Sequence, residues 1–303
     1  MPIGVEPTVD YAFKHLFGRE ASQPILIDLI DSVLEPAPAH RIREIELMNP
    51  FNPKETFDDK MSIVDIKARD ESGRQFNIEM QMLAYSQYEK RILYYACKLH
   101  QQQMHEGEEY LKLCPTISIS FLDHVLFRHR PNWHHHFQLL EKSHFFPLTG
   151  DLEFHVLELP KFTKDAGDLT SELDKWLYFL RHAAKMEVGA LPAKLQQPLV
   201  MRALEDLKML TQTDIERERY EARRTAILDE NTRMKAARLE GIEEGREEGR
   251  EEGQRHEAIE VIRRLEDALG RPQTPAEDLE GLSRQDLMAL RDDLLHQVAA
   301  LRK

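Results

Sequence analysis

The stretch VDIKARDESGRQFNIEMQ, residues 64–81, contains two runs of alternating apolar and polar residues. Turn-forming residues, among them Asp70 and Gly73, separate the runs, and this pattern predicts a β-hairpin. Each run also contains an acid, Asp65 in the first and Glu79 in the second. A half-buried strand does not ordinarily hold an unpaired carboxylate, because removing its charge from water is costly.

The register of this hairpin brings the two acids together. If the turn centres near Ser72, the numbers of paired residues sum to about 144, which places Asp65 opposite Glu79 with Cβ atoms about 4.5 to 5.5 Å apart. Two carboxylates at that distance repel each other unless a cation lies between them. Oxygen ligands alone favour Mg²⁺, Mn²⁺ or Ca²⁺ over zinc, so the pair predicts half of a site for a hard divalent metal.

A simpler alternative is a solvated sheet face, since antiparallel sheets commonly have one wet side. Two features favour the metal site. Gln81 adds a third polar side chain to the face of Glu79, because side chains on a strand alternate between the two faces. The helices and strands around the hairpin also place it at the centre of an α/β domain.

The surrounding sequence predicts that domain. Helices are expected over 7–18, 23–34 and 86–106, and strands over 40–51, 116–122 and 152–159. With the hairpin, they give an αβββαβ mixed sheet over residues 1–165. Beyond it the strand signals stop, and amphipathic patterns predict a helical region over 166–235 and a helical tail over 236–303.

The tail is rich in Glu, Gly and Arg and repeats a glycine every four residues, at Gly241, Gly245, Gly249 and Gly253. Each glycine costs a helix interior about 1 kcal/mol relative to alanine. One interpretation is a solvated, partly frayed helix. The other is a stripe along which two helices approach, which predicts a homo-oligomer formed through the C-terminal helices. The last helix either folds back on the chain or pairs with a second copy.

Composition limits the class of protein. The 303 residues are 41% hydrophobic and carry a formal net charge of -13. No run of about 18 apolar residues and no secretory signal pattern is found, so we expect a soluble, cytoplasmic protein without a membrane partner. Two cysteines are too few for a disulfide framework. The negative total charge does not exclude DNA as a partner, because a local basic groove can coexist with it.

These segments together resemble the Rpn-type recombination-promoting nucleases and transposases, a branch of the PD-(D/E)XK nuclease superfamily. The resemblance rests on PTVDYAFKHLFG, MSIVDIKARDESGRQFNIEMQ, YEKRILYYACKLH, EGEEYLKLCPTISISFL and the Glu-Gly-Arg repeat. It implies a restriction-endonuclease-like core and a DNA endonuclease that hydrolyses phosphodiester bonds with Mg²⁺ or Mn²⁺. A catalytically degenerate subunit that binds DNA or protein through the helical tail is the alternative.

The resemblance also implies roles for single residues. Asp65 and Glu79 match the metal ligands of the family, and Gln81 stands where the wider superfamily has a catalytic lysine. Lys67 shares a strand face with Asp65 and is a candidate for the missing charge, although an ordinary surface lysine is the alternative. Asp10 in the first helix is a candidate third ligand, or simply a residue of the helix surface.

Sequence alone does not decide the roles of two further groups of residues. Arg91 and Gln87, near the start of the helix that follows the hairpin, are candidates for DNA phosphate contacts, or else they pack against the domain surface. The histidine-rich segment with His134, His135, His136 and His144 suggests zinc. Three consecutive histidines cannot easily face one ion on a regular element, so a surface loop is the favoured interpretation.

Overall fold

The computed structural model describes residues 2–52, 62–63 and 65–301. Val64 and residues 53–61 lie outside this part of the chain, so the expected strand 40–51 is described, while the hairpin is described only from Asp65 onward. In chain order the elements are α1 (Asp10–Phe17), α2 (Gln23–Leu34), β1 (Ile45–Met48), β2 (Phe51–Asn52), β3 (Ser62–Ile63), β4 (Ile66–Asp70), β5 (Gln75–Gln81), α3 (Tyr88–Gln101), β6 (Thr116–Leu122), β7 (His134–Gln138), β8 (Leu152–Glu158), α4 (Glu172–His182), α5 (Pro198–Met209), α6 (Asp214–Ala268), α7 (Ala276–Gly281) and α8 (Arg284–Leu301).

The main sheet has six strands in the order β1-β4-β5-β6-β8-β7. β1, β4 and β5 are antiparallel, β6 and β8 continue parallel to β5, and β7 closes the far edge antiparallel to β8. The pairs Ile66–Ile78 and Ala68–Phe76 confirm the predicted register. The α/β class and the αβββαβ order are confirmed as well, and β2 and β3 form a separate small ladder.

Helices cover both faces of this sheet. Phe13 of α1 contacts the Phe121 ring, whereas Tyr88 and Ile92 of α3 pack against Leu122. Phe121 and Leu122 are adjacent in β6 and therefore point to opposite faces of the sheet, so α1 and α3 lie on opposite sides of it. Every residue of β5 from Gln75 to Met80 is therefore buried. The face that carries Glu79 is covered by α3, which rules out the solvated-face alternative.

The histidine-rich segment differs from the prediction. Residues His134–Gln138 form the edge strand β7, where a surface loop was expected. The strand is hard to recognise from sequence because it contains no β-branched residue and, at the sheet edge, pairs with one strand, β8. Its alternation places His134 and His136 on one face, while His135 on the other face contacts Glu158.

The described chain separates into two compact units, Met1–Glu230 and Asn231–Lys303. In the first, α4 packs on α2, and α5 packs on α1 and α2. The expected border at 165/166 therefore falls inside this unit. In the second, apolar residues of α8 pack with those of α6 and α7, so the last helix folds back on the chain. None of the described helices is both long and apolar enough to cross a bilayer.

Candidate metal centre at the end of the hairpin

A cavity of about 250 Å³ opens where β4 begins and β5 ends, and we call it the hairpin cavity. Its lining is mostly polar and comes from α1, the hairpin, the segment after β5, α3 and α6. The lining residues are Asp10, Lys14, Asp65, Glu79, Met80, Gln81, Met82, Leu83, Tyr85, Arg91, Arg223 and Ile227.

Asp65 lies in a bend immediately before β4, one residue beyond the last ladder pair. Its Oδ2 accepts a hydrogen bond of 2.9 Å from the Met80 backbone N–H, so the carboxylate extends the contact with β5 beyond the first residue of β4. Its Oδ1 lies 3.1 Å from Lys14 Nζ. Burial raises the pKa of Asp65, and the charge of Lys14 and the Met80 hydrogen bond oppose that rise.

Glu79 is only 4% exposed. Its carboxylate accepts hydrogen bonds from the Tyr88 hydroxyl at 3.1 Å and from Asn77 Nδ2 at 3.4 Å. Arg91 lies farther away, with a guanidinium nitrogen 3.8 Å from Glu79 Oε2. Burial raises the pKa of Glu79 to about 7; Arg91 lowers it and the negative charge of Asp65 raises it further.

The two acids therefore share one cavity and influence each other's charge. Lys14, 3.1 Å away, compensates the charge of Asp65, whereas the nearest guanidinium nitrogen of Arg91 stands 3.8 Å from Glu79. Burial makes the charged form of Glu79 costly, and a bound cation would favour that charged form. The donor set of carboxylate and amide oxygens suits Mg²⁺ or Mn²⁺.

Three more expected residues line the cavity. Gln81 donates from Nε2 to the Leu83 carbonyl at 3.0 Å, and its amide oxygen can act as an acceptor or metal ligand. Asp10 begins α1 and is held by two nitrogens of Arg223 at 2.7 and 2.8 Å. Arg91 is surrounded by the rings of Tyr85, Tyr88 and Tyr95, with centroids 5.9, 5.6 and 5.2 Å from its Cζ.

Two expected site residues are not among those lining the cavity. Lys67 pairs with Asn77, farther down the hairpin, and its buried Nζ donates to Gln102 Oε1 of the segment that ends α3 at 3.2 Å. Gln87 precedes α3 with a left-handed φ of 61°, so it does not continue the helical face of Arg91. It lies at the surface and accepts a bond from Lys90.

Three contributors were missed. Lys14 had a signal, since it stands four residues after Asp10 and therefore on the same face of α1. Tyr88 had a weaker one, as the first aromatic residue of α3. Arg223 had none, because it is one of many arginines in an acidic and basic helix.

A mixed sheet with an aspartate and a glutamate at the end of its hairpin is consistent with a PD-(D/E)XK nuclease core. The chain belongs to the family described as PD-(D/E)XK nuclease family transposase, whose model matches residues 7–237. Neither the curated proteins nor the solved structures gave a match to this chain.

Proposed function

We propose that this protein is a metal-dependent DNA endonuclease, in which Asp65 and Glu79 hold Mg²⁺ or Mn²⁺ and a DNA phosphodiester is hydrolysed. The observation that carries the proposal is the buried Glu79 beside Asp65 in one open cavity, with a pKa of about 7. A merely structural carboxylate at such depth is normally neutralised by a close cation. When bound, the ion polarises the phosphate and lowers the pKa of an attached water.

We propose that Lys14 supplies the positive charge that is lost because Gln81 stands at the position of the catalytic lysine. Its side chain is 42% exposed at the cavity and its Nζ lies 3.1 Å from Asp65 Oδ1. It can therefore stabilise the negative charge that develops on the phosphate oxygens during attack. Gln81 donates and accepts hydrogen bonds without charge, which suits it to orienting the attacking water. Lys67 is withdrawn from this role, because its Nζ lies beneath the end of α3.

The remaining polar residues position these groups or meet the DNA. Arg91 and Tyr88 hold the Glu79 carboxylate in place. We propose Asp10 as an additional metal ligand once its ion pair with Arg223 is released. Arg91, 34% exposed at the cavity, is proposed to contact a phosphate, and Gln87 at the surface near the start of α3 to contact the flanking DNA backbone.

The test is nicking of a supercoiled plasmid in Mg²⁺ or Mn²⁺ by the wild type, Asp65→Asn, Glu79→Gln and a matched control. The control is Glu46→Gln, which removes a carboxylate from the neighbouring strand β1, outside the cavity and paired with Arg69. We expect cleavage by the wild type and Glu46→Gln alone, and none after chelation of the metal.

Equal cleavage by all four proteins would show that the assigned site is wrong. If none of the four cleaves and all bind DNA, the catalytically degenerate subunit becomes the better description. The cleavage assay and a parallel gel-shift measurement together separate these outcomes.

A further inference from the structure

A second cluster of metal-binding side chains lies at the opposite edge of the sheet. His136 on β7 pairs directly with His155 on β8, and Glu153 lies two residues before His155 on the same face. One ligand atom from each of the three lies within 4.8 Å of the other two. We call these three residues the histidine cluster.

This cluster is separate from the hairpin cavity. His155 aligns with Ile119 and, one strand further, with Ile78, the residue before Glu79. His155 and Glu79 therefore point to opposite faces of the sheet. The cluster faces a cavity of its own of about 460 Å³, bordered by the end of α2 and by Leu173 of α4.

His155 provides the clearest sign of a missing partner. The residue is 3% exposed, and its Nε2 has no hydrogen-bond partner among the described residues. The nearest carboxylate oxygen, Glu153 Oε2, is 3.8 Å away, too far for a hydrogen bond. A buried nitrogen left unpaired is destabilising, so a ligand on this atom would recover stability.

His134 prepares His155 for this role. Its Nε2 lies 2.9 Å from His155 Nδ1, so the His134 nitrogen can accept a hydrogen bond from the Nδ1–H tautomer of His155. With Nδ1 protonated, the lone pair of a neutral His155 is on Nε2, the atom within the cluster. An outer residue that fixes the tautomer of a ligating histidine is a regular feature of protein metal sites.

The distances suit a tetrahedral ion. Ligands bound about 2.0 to 2.2 Å from zinc stand about 3.3 to 3.5 Å apart. His136 Nε2 lies 3.3 Å from Glu153 Oε2, and His155 Nε2 lies 3.8 Å from the same oxygen. The two imidazole rings are stacked with centroids 4.3 Å apart and planes 15° apart, so their lone pairs lie in nearly parallel planes. His136, whose side chain is 43% exposed, must tilt for both nitrogens to meet one ion.

We propose that His136, Glu153 and His155 bind a divalent transition-metal ion of the Zn²⁺ class, with His134 as the positioning residue. Two imidazoles and one carboxylate are a regular zinc donor set, whereas Mg²⁺ prefers oxygen ligands. An ion held by these three residues would link the edge strand β7 to β8. This site is independent of the proposed nuclease chemistry.

The test is titration of the full-length protein with Zn²⁺ in a large excess of Mg²⁺, which keeps the hairpin cavity saturated. A chromophoric chelator reports affinity and stoichiometry, and Co²⁺ replaces Zn²⁺ where a spectrum of the coordination geometry is wanted. We expect one tightly bound Zn²⁺ in the wild type. His136→Ala and Glu153→Gln should each weaken binding by at least about 100-fold, and His134→Gln by about 10- to 100-fold.

The matched control is His144→Ala. His144 stands 3.3 Å from Glu141, which makes a similar histidine–carboxylate pair without a third ligand among the described residues. This variant should bind Zn²⁺ like the wild type. A second readout, thermal unfolding, should show that Zn²⁺ raises the melting temperature of the wild type and His144→Ala, but not of Glu153→Gln. Wild-type affinity in both His136→Ala and Glu153→Gln, or no Zn²⁺ binding by the wild type, would overturn the proposal.

Discussion

The raised pKa of Glu79 makes the stability of the metal-free protein and the binding of a metal ion respond to pH in opposite directions. Its environment raises the pKa from 4.5 to about 7, so the folded protein retains a proton that the unfolded chain releases between these values. The metal-free protein must therefore lose stability as the pH rises through this interval, because a buried charge then forms. Binding of the proposed metal ion would reverse this pH dependence, because the ion binds the deprotonated Glu79 carboxylate.

The first prediction concerns Glu79→Gln in the presence of a chelator. The variant cannot ionise, so its free energy of unfolding should exceed that of the wild type by an amount that grows between pH 5 and pH 8. The upper limit is about 3.5 kcal/mol, at about 1.4 kcal/mol for each pKa unit. Urea denaturation at both pH values measures the difference, and a difference independent of pH would contradict it. Added Mg²⁺ at pH 8 should stabilise the wild type only.

The second prediction concerns Lys14, which lies 3.1 Å from Asp65. Lys14→Ala should lower kcat for plasmid nicking by about 100-fold, as removal of one charge-stabilising donor usually does, while DNA affinity changes little. Lys14→Arg should retain part of the activity. Lys67→Met is the matched control, because Lys67 bonds to Gln102 outside the cavity. A larger loss in Lys67→Met than in Lys14→Ala would reverse the two assignments.

At the scale of elements, the hairpin was predictable and its surroundings were only partly so. The turn residues and the alternation of β5 determine the pairing of Ile66 with Ile78, so Asp65 and Glu79 could be placed together from local pattern alone. The depth of Glu79 could not be predicted, because burial depends on α3 crossing that face. Strand β7 was missed because three adjacent histidines resemble a polar loop. The contact of Arg223 with Asp10 joins residues 213 positions apart, and no local pattern encodes it.

The third prediction follows from this contact between α6 and α1. Arg223 occupies Asp10 with two hydrogen-bonding nitrogens, so Arg223→Ala should leave Asp10 available as an extra metal ligand. We expect the Mg²⁺ concentration that gives half-maximal nicking to fall several-fold. The double variant with Asp10→Asn should return it to the wild-type value or above.

Arg217→Ala is the control for this effect, since Arg217 lies on the same helix and pairs with Asp214 at 2.7 Å. An unchanged Mg²⁺ requirement in Arg223→Ala would show that Asp10 does not reach the ion.

At the scale of the whole molecule, the Glu-Gly-Arg tail remains the least constrained part. Apart from the neighbouring residues and backbone of its own helix, a Cβ atom built on Gly241, Gly245, Gly249 or Gly253 would meet no atom of the described residues within 4 Å. The nearby side chains of Leu239 and Ile242 are 68% and 47% exposed. Open glycines beside exposed apolar residues are compatible with close approach of a second helix, and nothing within the described chain requires those glycines.

The fourth prediction is that the protein is a homo-oligomer associated through this stripe. Replacing Gly245 and Gly249 by Leu should lower the mass in solution, because side chains on that face prevent close backbone contact. Replacing Glu247 and Glu251 by Leu places the same side chains on the other side of α6 and should leave the mass unchanged. Light scattering measures both. A wild-type mass equal to that of one chain would support the solvated, partly frayed helix instead.

The central position of β5 has a consequence for amide hydrogen exchange. Between β4 and β6, its backbone amides can exchange with solvent only when both ladders open. Amide exchange should therefore be slowest around Glu79 and fastest along the solvent-exposed stretch of α6 that contains the repeated glycines. A protein heated or placed in denaturant would lose its tail before it loses its pair of acids, and the last structure to melt would be the one that carries the proposed metal site.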